Sequence, residues 1–287
     1  MRIGVPKEIK THEYRAGITP EGVKELARRG HRVSVESGLG RGIDASDEAY
    51  AAAGATIAAS AAQVFEAADL IVKVKEPQPS EIKLLRRGQT LFAYLHLAPD
   101  PAQAKGLMAS GVTAIAFETV TDAAGGLPLL APMSDVAGRM AVQVGAHYLE
   151  KPSGGRGVLL SGTPGVAAGT VVILGAGTVG TAAARMAVGA GAQVVVVNRG
   201  LARLQALDLL FGGRIVTVAS TSAAIEDWAT RADLVVGAAL VPGGAAPKLV
   251  SAATVARMRE GAVVIDVAID QGGCFETSRP TTHADPV

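Results

Sequence analysis

A short apolar run, Val171-Val-Ile-Leu174, breaks into Gly175-Ala-Gly177-Thr-Val-Gly180 and then into the alanine-rich stretch Thr181-Ala-Ala-Ala-Arg-Met-Ala187. No other segment restricts the fold as much. Gly175 allows a tight turn off a strand, Gly177 lets backbone approach a pyrophosphate, and Gly180 lets the following helix pack close to the sheet. The unpaired N–H groups of that helix then face the phosphates. Glycine supplies 35 of 287 residues, so the spacing alone is a weak signal. Its context is stronger, because the helical stretch ends at glycines and a second apolar strand, Gln193-Val-Val-Val-Val197, follows at βαβ spacing.

A chain of 287 residues suffices for two domains. The formal net charge is +1 with the charges interspersed, and aromatic residues make up 3%. Neither a nucleic-acid surface nor a polybasic membrane patch is indicated, and the expected partner is a small molecule. Cys274 is the single cysteine, which excludes an intrachain disulfide framework and a multi-cysteine metal site, and no metal is expected. The N-terminus turns polar too early for a secretory signal, and no apolar run is long enough to span a bilayer; a cytoplasmic protein is expected.

The first half alternates strands and capped helices. Strands are expected at 2–5, 31–36, 70–75, 90–94 and 112–117. Helices are expected after Thr19-Pro20, after Ser60 with Gln63 as a capping box, and after Asp100-Pro101. From Ser134, apolar residues at 136, 140, 144 and 148 predict one long helix linking the halves. Further strands at 214–218, 234–237 and 262–266 complete a five-stranded nucleotide sheet in the order 3-2-1-4-5. The reading is α/β throughout: a flavodoxin-like βα substrate domain over residues 1–128 and a Rossmann-type dinucleotide domain over 129–287, each a mostly parallel sheet flanked by helices.

Parallel strands deliver ligand-binding loops at their carboxyl ends. Lys75, His96 and Asp270 all lie at or just past predicted strand ends, and a cation, an imidazole and a carboxylate so placed can move protons at a carbonyl carbon. Arg15, in a polar loop, suits a carboxylate ligand. Singly, each also reads as ordinary: a solvated charge, an exposed imidazole, a turn aspartate before Gly-Gly. Spacing alone does not gather the four.

The combination Gly4-Val-Pro-Lys-Glu8 with Arg15 and Thr19-Pro20, then Val74-Lys-Glu-Pro77, Leu95-His-Leu97, Pro128 through Ser134, and Asp270 through Thr282 resembles the alanine dehydrogenase family from end to end. The related nicotinamide nucleotide transhydrogenase alpha subunit shares the opening and the glycine-rich turn, whereas Asp270–Thr282 resembles the dehydrogenase. The resemblance implies an oxidoreductase that converts L-alanine, NAD or NADP and water reversibly to pyruvate, ammonia and the reduced cofactor. It implies that Arg15 and Lys75 bind the amino or keto acid, that His96 is the acid/base, and that Asp270 positions water and ammonia. It further implies cofactor contacts from Ser134, Gly175, Gly177, Thr178, Val179, Gly180, residue 198, Arg203, Ser220, Ala239, Leu240 and the turn Val267, Ala268, Ile269 and Asp270. A homo-oligomer, commonly a hexamer, is implied as well.

Two departures bear on these expectations. Most relatives carry an aspartate for the ribose hydroxyls where this chain has Asn198-Arg199, which removes a repulsion of a 2′-phosphate and adds a cation, so NADP is favoured over NAD. Family members also continue beyond the position of Val287 with further nucleotide-domain elements. A transhydrogenase-like hydride carrier and a non-catalytic dinucleotide-binding protein are the alternatives.

Overall fold

The computed structural model describes residues 1–239, 246–282 and 284–287. The chain divides into two units, residues 1–130 and 131–287, two residues later than the sequence suggests.

The first unit runs β1 (Arg2–Val5), α1 (Pro20–Arg28), β2 (Arg32–Glu36), α2 (Asp47–Ala52), β3 (Ala55–Ala58), α3 (Ala61–Ala67), β4 (Leu70–Val72), α4 (Pro79–Ile82), β5 (Thr90–Ala93), α5 (Pro101–Ser110) and β6 (Thr113–Ala116). The caps are local and as expected: the side chains of Thr19, Ser60 and Asp100 accept N–H groups at the starts of α1, α3 and α5. At α3 the reciprocal bond of the capping box falls one residue early, with Gln63 accepting the N–H of Ala59 at 2.9 Å.

All six strands are parallel, in the order β3-β2-β1-β4-β5-β6. This departs from a flavodoxin-like sheet, which runs 2-1-3-4-5. The reason is β3, a strand absent from the sequence expectation: Ala55-Thr-Ile-Ala58 is short and nowhere fully buried, so its pattern carries no strand signal. It takes the outer place beside β2, and the chain returns to the centre at β4. One face of the sheet packs Val64, Phe65, Leu91 and Leu107, and the other Val5, Val23, Val35 and Tyr50.

The second unit runs α6 (Ala131–Tyr148), β7 (Thr170–Leu174), α7 (Thr178–Gly189), β8 (Gln193–Asn198), α8 (Leu201–Phe211), β9 (Val216–Ala219), α9 (Ser222–Arg231), β10 (Leu234–Gly237), α10 (Ala252–Ala256) and β11 (Val263–Asp266). Its five parallel strands lie in the order β11-β10-β7-β8-β9, as expected for a dinucleotide sheet.

The long helix predicted from Ser134 is α6, but it belongs wholly to the second unit and its inner face differs from the expected one. Val136 and Met140 are about half exposed, at 46% and 49%, while Gly138, Ala141, Val142 and Gly145 are buried. A β-carbon on Gly138 would lie 2.2 Å from the Val179 carbonyl of α7, and one on Gly145 would lie 2.6 Å from Leu234. The two helices therefore meet backbone to backbone, a contact that selects small residues rather than large apolar ones. Gly138→Ala is expected to destabilise the second unit by about 1–3 kcal/mol, because overpacking there must move backbone. Urea denaturation followed by circular dichroism measures it, and a stability equal to the parent's refutes the close contact.

Candidate functional site

Because β1, β4 and β5 are parallel neighbours, the loops leaving them emerge side by side at one edge. Arg15 lies in the loop after β1, Lys75 three residues beyond β4, and His96 three residues beyond β5. Their surroundings interlock.

Glu13 grips Arg15: one carboxylate oxygen accepts the Arg15 N–H at 2.9 Å and Nε at 2.8 Å, and the other accepts Nη2 at 2.6 Å. Hydrogen bonding to Glu13 holds the Arg15 guanidinium charge more firmly than usual. Burial pushes the Glu13 carboxyl up, but the bonds from Arg15 and the nearby Lys75 charge outweigh it and leave the group below its ordinary value. Glu13 thus lies in the field of both cations. Lys75 has no ion pair among the described residues.

His96 places Nδ1 3.4 Å from a carboxylate oxygen of Glu76, and its ring stacks on Tyr94 with centroids 6.0 Å apart. Glu76 also pairs with Lys10. Burial raises the Glu76 carboxyl, yet the bonds from His96 and Lys10 prevail and bring it down to about 2. It stays ionised beside the imidazole. His96 has φ +47°, a left-handed backbone that a non-glycine residue seldom adopts. The Glu118 carboxylate accepts the N–H groups of Leu95 and His96, and Gln103 donates to the Leu95 carbonyl.

Behind these residues sits a cluster that the sequence reading missed. Lys73 is fully buried, with its ammonium 3.2 Å from Glu8 and 2.8 Å from Glu81, and Glu8 also accepts the N–H of Val74 at 2.7 Å. Burial pushes the Glu8 carboxyl up. The available signal was a lysine inside the apolar strand Leu70-Ile-Val-Lys-Val74, an arrangement that calls for buried partners.

In the second unit, Gly175, Gly177, Asn198, Ser220, Ala239 and residues 267–270 lie at or just past the carboxyl ends of β7 to β11. Gly175 has φ +121°, and a β-carbon there would lie 2.5 Å from the Ala238 carbonyl; one on Gly180 would lie 1.9 Å from the Gly175 carbonyl. Gly177 differs. A β-carbon on it would meet only Arg203 Nη1, at 3.7 Å, so its face is open. Gly177 is also the N-cap of α7 and provides no side-chain cap, which leaves the N–H groups of Thr178 and Val179 without one. A closed turn, an open glycine and an uncapped helix start fit a dinucleotide pyrophosphate with Arg203 beside it.

Asn198 braces this turn: its oxygen accepts the Ala176 N–H at 3.1 Å and its amide donates to the Gly200 carbonyl at 3.0 Å. Its own carbonyl accepts the N–H of Ser220. Arg199 is exposed, and Ser134 lies one helical turn before Gly138 on α6. Ala239 follows β10, and Val267 through Asp270 follow β11, with Asp270 exposed in a 3-10 turn over Ile269–Gln271. Leu240 lies outside the described residues. The sequence reading also passed over Asp266, whose carboxylate accepts the N–H groups of Ala268, Cys274 and Phe275 and so shapes the loop that carries Asp270.

Two parallel α/β units, one carrying a dinucleotide turn and the other a cation and imidazole edge, define a two-domain protein of the dinucleotide-binding class. Two family models cover nearly all of the chain: "Alanine dehydrogenase/PNT, N-terminal domain" over residues 4–137 and "Alanine dehydrogenase/PNT, C-terminal domain" over residues 141–287. The alanine dehydrogenase of Halomonas elongata is 56% identical over 286 residues, covering 100% of this chain and 77% of the relative. That of Mycobacterium tuberculosis is 54% identical with the same coverage. Among solved structures, an L-alanine dehydrogenase matches with TM-score 0.93 and 51% identity, covering 100% of this chain and 79% of its own. A transhydrogenase from Sinorhizobium meliloti matches with TM-score 0.82 and 28% identity, covering 98% and 83%. The chain belongs to the alanine dehydrogenase/PNT family.

Cys274 is buried, with its Sγ 3.8 Å from the Ala239 carbonyl and its thiol pushed up to about 11, chiefly by burial. A packed thiol raised in this way is poorly suited to act as a nucleophile. Cys274→Ser is expected to keep its turnover within about threefold, the range left by a packing change. Loss of turnover in a folded variant refutes this.

Proposed function

We propose that this chain catalyses the reversible, nicotinamide dinucleotide-dependent oxidative deamination of L-alanine to pyruvate and ammonia. One observation carries the reading: alanine dehydrogenases align with the full chain at 52–56% identity, against 28% for the transhydrogenase structure. The glycine-rich turn and the polar edge of the first sheet supply the parts such a reaction needs.

In the proposed mechanism Arg15, held in place by Glu13, pairs with the substrate carboxylate. Lys75 stabilises the negative charge that gathers on the carbinolamine oxygen as ammonia leaves and the carbonyl of pyruvate forms. His96 takes and returns the proton of the water that adds to the imino acid, and the Glu76 carboxylate behind it stabilises the charged imidazole. Asp270 orients water in one direction and ammonia in the other. A nicotinamide dinucleotide held at the turn of Gly175, Gly177 and Gly180 would supply the hydride acceptor for oxidation at the α-carbon of alanine.

The experiment is reductive amination of pyruvate with ammonia, followed by nicotinamide absorbance with NADH and NADPH in parallel. His96→Ala is expected to lower kcat on the order of a hundredfold or more, with cofactor affinity nearly unchanged. A parent that binds cofactor without turning over pyruvate or alanine overturns the reading.

We further propose that the cofactor is NADP. Asn198 is uncharged and already engaged with Ala176 and Gly200, the exposed Arg199 follows it directly, and Arg203 reaches towards Gly177. Asn198→Asp can still accept the Ala176 N–H, but it loses the bond to Gly200 and sets a carboxylate against that carbonyl. This substitution is expected to shift discrimination towards NAD by about 1.5–3 kcal/mol, the worth of a charged hydrogen bond. Dissociation constants for both dinucleotides, by fluorescence quenching, measure it. An unchanged ratio, or a parent that binds NAD more tightly, refutes the assignment.

A further inference from the structure

The turn carrying His96 is clamped on both sides by side chains that the proposed reaction does not otherwise use. Glu118, in the 3-10 turn Phe117–Thr119 after β6, accepts the His96 N–H at 2.8 Å and the Leu95 N–H at 3.1 and 3.2 Å through its two oxygens. From α5, Gln103 donates its amide to the Leu95 carbonyl at 2.8 Å in a buried bond. The peptide leading into His96 is thereby fixed at its carbonyl and at both adjoining N–H groups.

The clamp meets a backbone that needs one. His96 has φ +47°, and a residue with a β-carbon leaves that region unless its surroundings hold it there. Two successive N–H groups converging on one carboxylate provide charge-assisted bonds, stronger and shorter than neutral ones. The conformation also aims the side chain. With the backbone so turned, the imidazole lies against Glu76 and stacks on Tyr94, whose ring meets Phe117 edge-on at 5.1 Å, one residue before Glu118.

We infer that Glu118 is a positioning residue for His96: it holds the left-handed turn that sets the imidazole against Glu76, and it acts on the reaction through that geometry. The inference rests on the proton-handling role given to His96 above. Reach decides more than charge here, because one oxygen takes both N–H groups, at 3.1 and 2.8 Å, and a glutamine oxygen in that place gives up only the second, 3.2 Å contact to Leu95.

The test uses Glu118→Gln, Glu118→Asp and Glu118→Ala in the full chain, each alone and combined with His96→Ala. Glutamine keeps an oxygen at the same reach, and its kcat is expected within about threefold of the parent. Aspartate keeps the charge but withdraws the oxygens by one methylene, and alanine removes them. Both are expected to lose about tenfold or more in kcat, as a misplaced reacting group does, with cofactor affinity unchanged. Neither is expected to lower kcat further in the His96→Ala background. The His96 ring signal in the NMR spectrum, identified by its absence in His96→Ala, is expected to move in the aspartate and alanine variants and stay in the glutamine variant. If Glu118→Ala does not fold, the glutamine and aspartate pair decides alone. The inference is overturned if aspartate restores kcat and glutamine does not, if the losses add to that of His96→Ala, or if kcat and the ring signal stay put in the aspartate variant. The underlying reading fails separately: if His96→Ala keeps the parent kcat, His96 does not handle the proton, while the ring signal still reports whether Glu118 places it.

Discussion

One buried ammonium fastens together the segments that build the polar edge of the first unit. Lys73 joins Glu8, from the loop that goes on to carry Arg15, to Glu81 of α4, and Glu8 reaches on to the backbone of Val74 beside Lys75. Removing one partner of a buried pair leaves an uncompensated charge, which destabilises by about 3–5 kcal/mol. An apolar residue in place of Lys73 would leave two carboxylates facing each other, so the cluster is a mutual constraint and not a surplus of stability. Its effect is registry: the loop after β1 and the end of β4 are held at fixed separation.

The second unit reaches comparable precision by a different route. Its tolerances are set by backbone contacts at Gly138, Gly175 and Gly180, where a β-carbon would strike a carbonyl oxygen at 2.5 Å or less. Close packing of small residues needs no buried charge and leaves no polar group to satisfy. Among the three glycines of the turn, Gly177 breaks the pattern, since a β-carbon there would meet Arg203 Nη1 alone, at 3.7 Å. That opening is where the turn's backbone can approach a ligand.

Much of this organisation was legible in the sequence, and the omissions share a cause. The dinucleotide turn and its strand order were readable because Gly175, Gly177 and Gly180 perform local tasks at fixed spacing. The caps at Thr19, Ser60 and Asp100 were readable for the same reason. β3 was not, since a short strand of half-exposed small residues has no periodic signal. The inner face of α6 was misread because a four-residue apolar repeat marks large side chains, while the actual contact is made by Gly138, Ala141 and Gly145. Lys75, His96 and Asp270 stood out at strand ends and Arg15 in a polar loop, and the resemblance to a family gave them their expected roles. Their supports, Glu13, Glu76, Glu118 and Asp266, act through contacts to backbone or to other side chains that patterning does not reveal.

The backbone at His96 carries a consequence for how this fold can evolve. A left-handed residue with a β-carbon costs about 1–2 kcal/mol relative to glycine in the same place. Glycine would adopt the turn freely but offers no imidazole. Under the proton-handling role proposed for His96, stability and chemistry therefore pull this position in opposite directions. Stabilising the protein without disarming it means looking elsewhere, to exposed loops and helix surfaces where no side chain is held in a conformation it would otherwise leave.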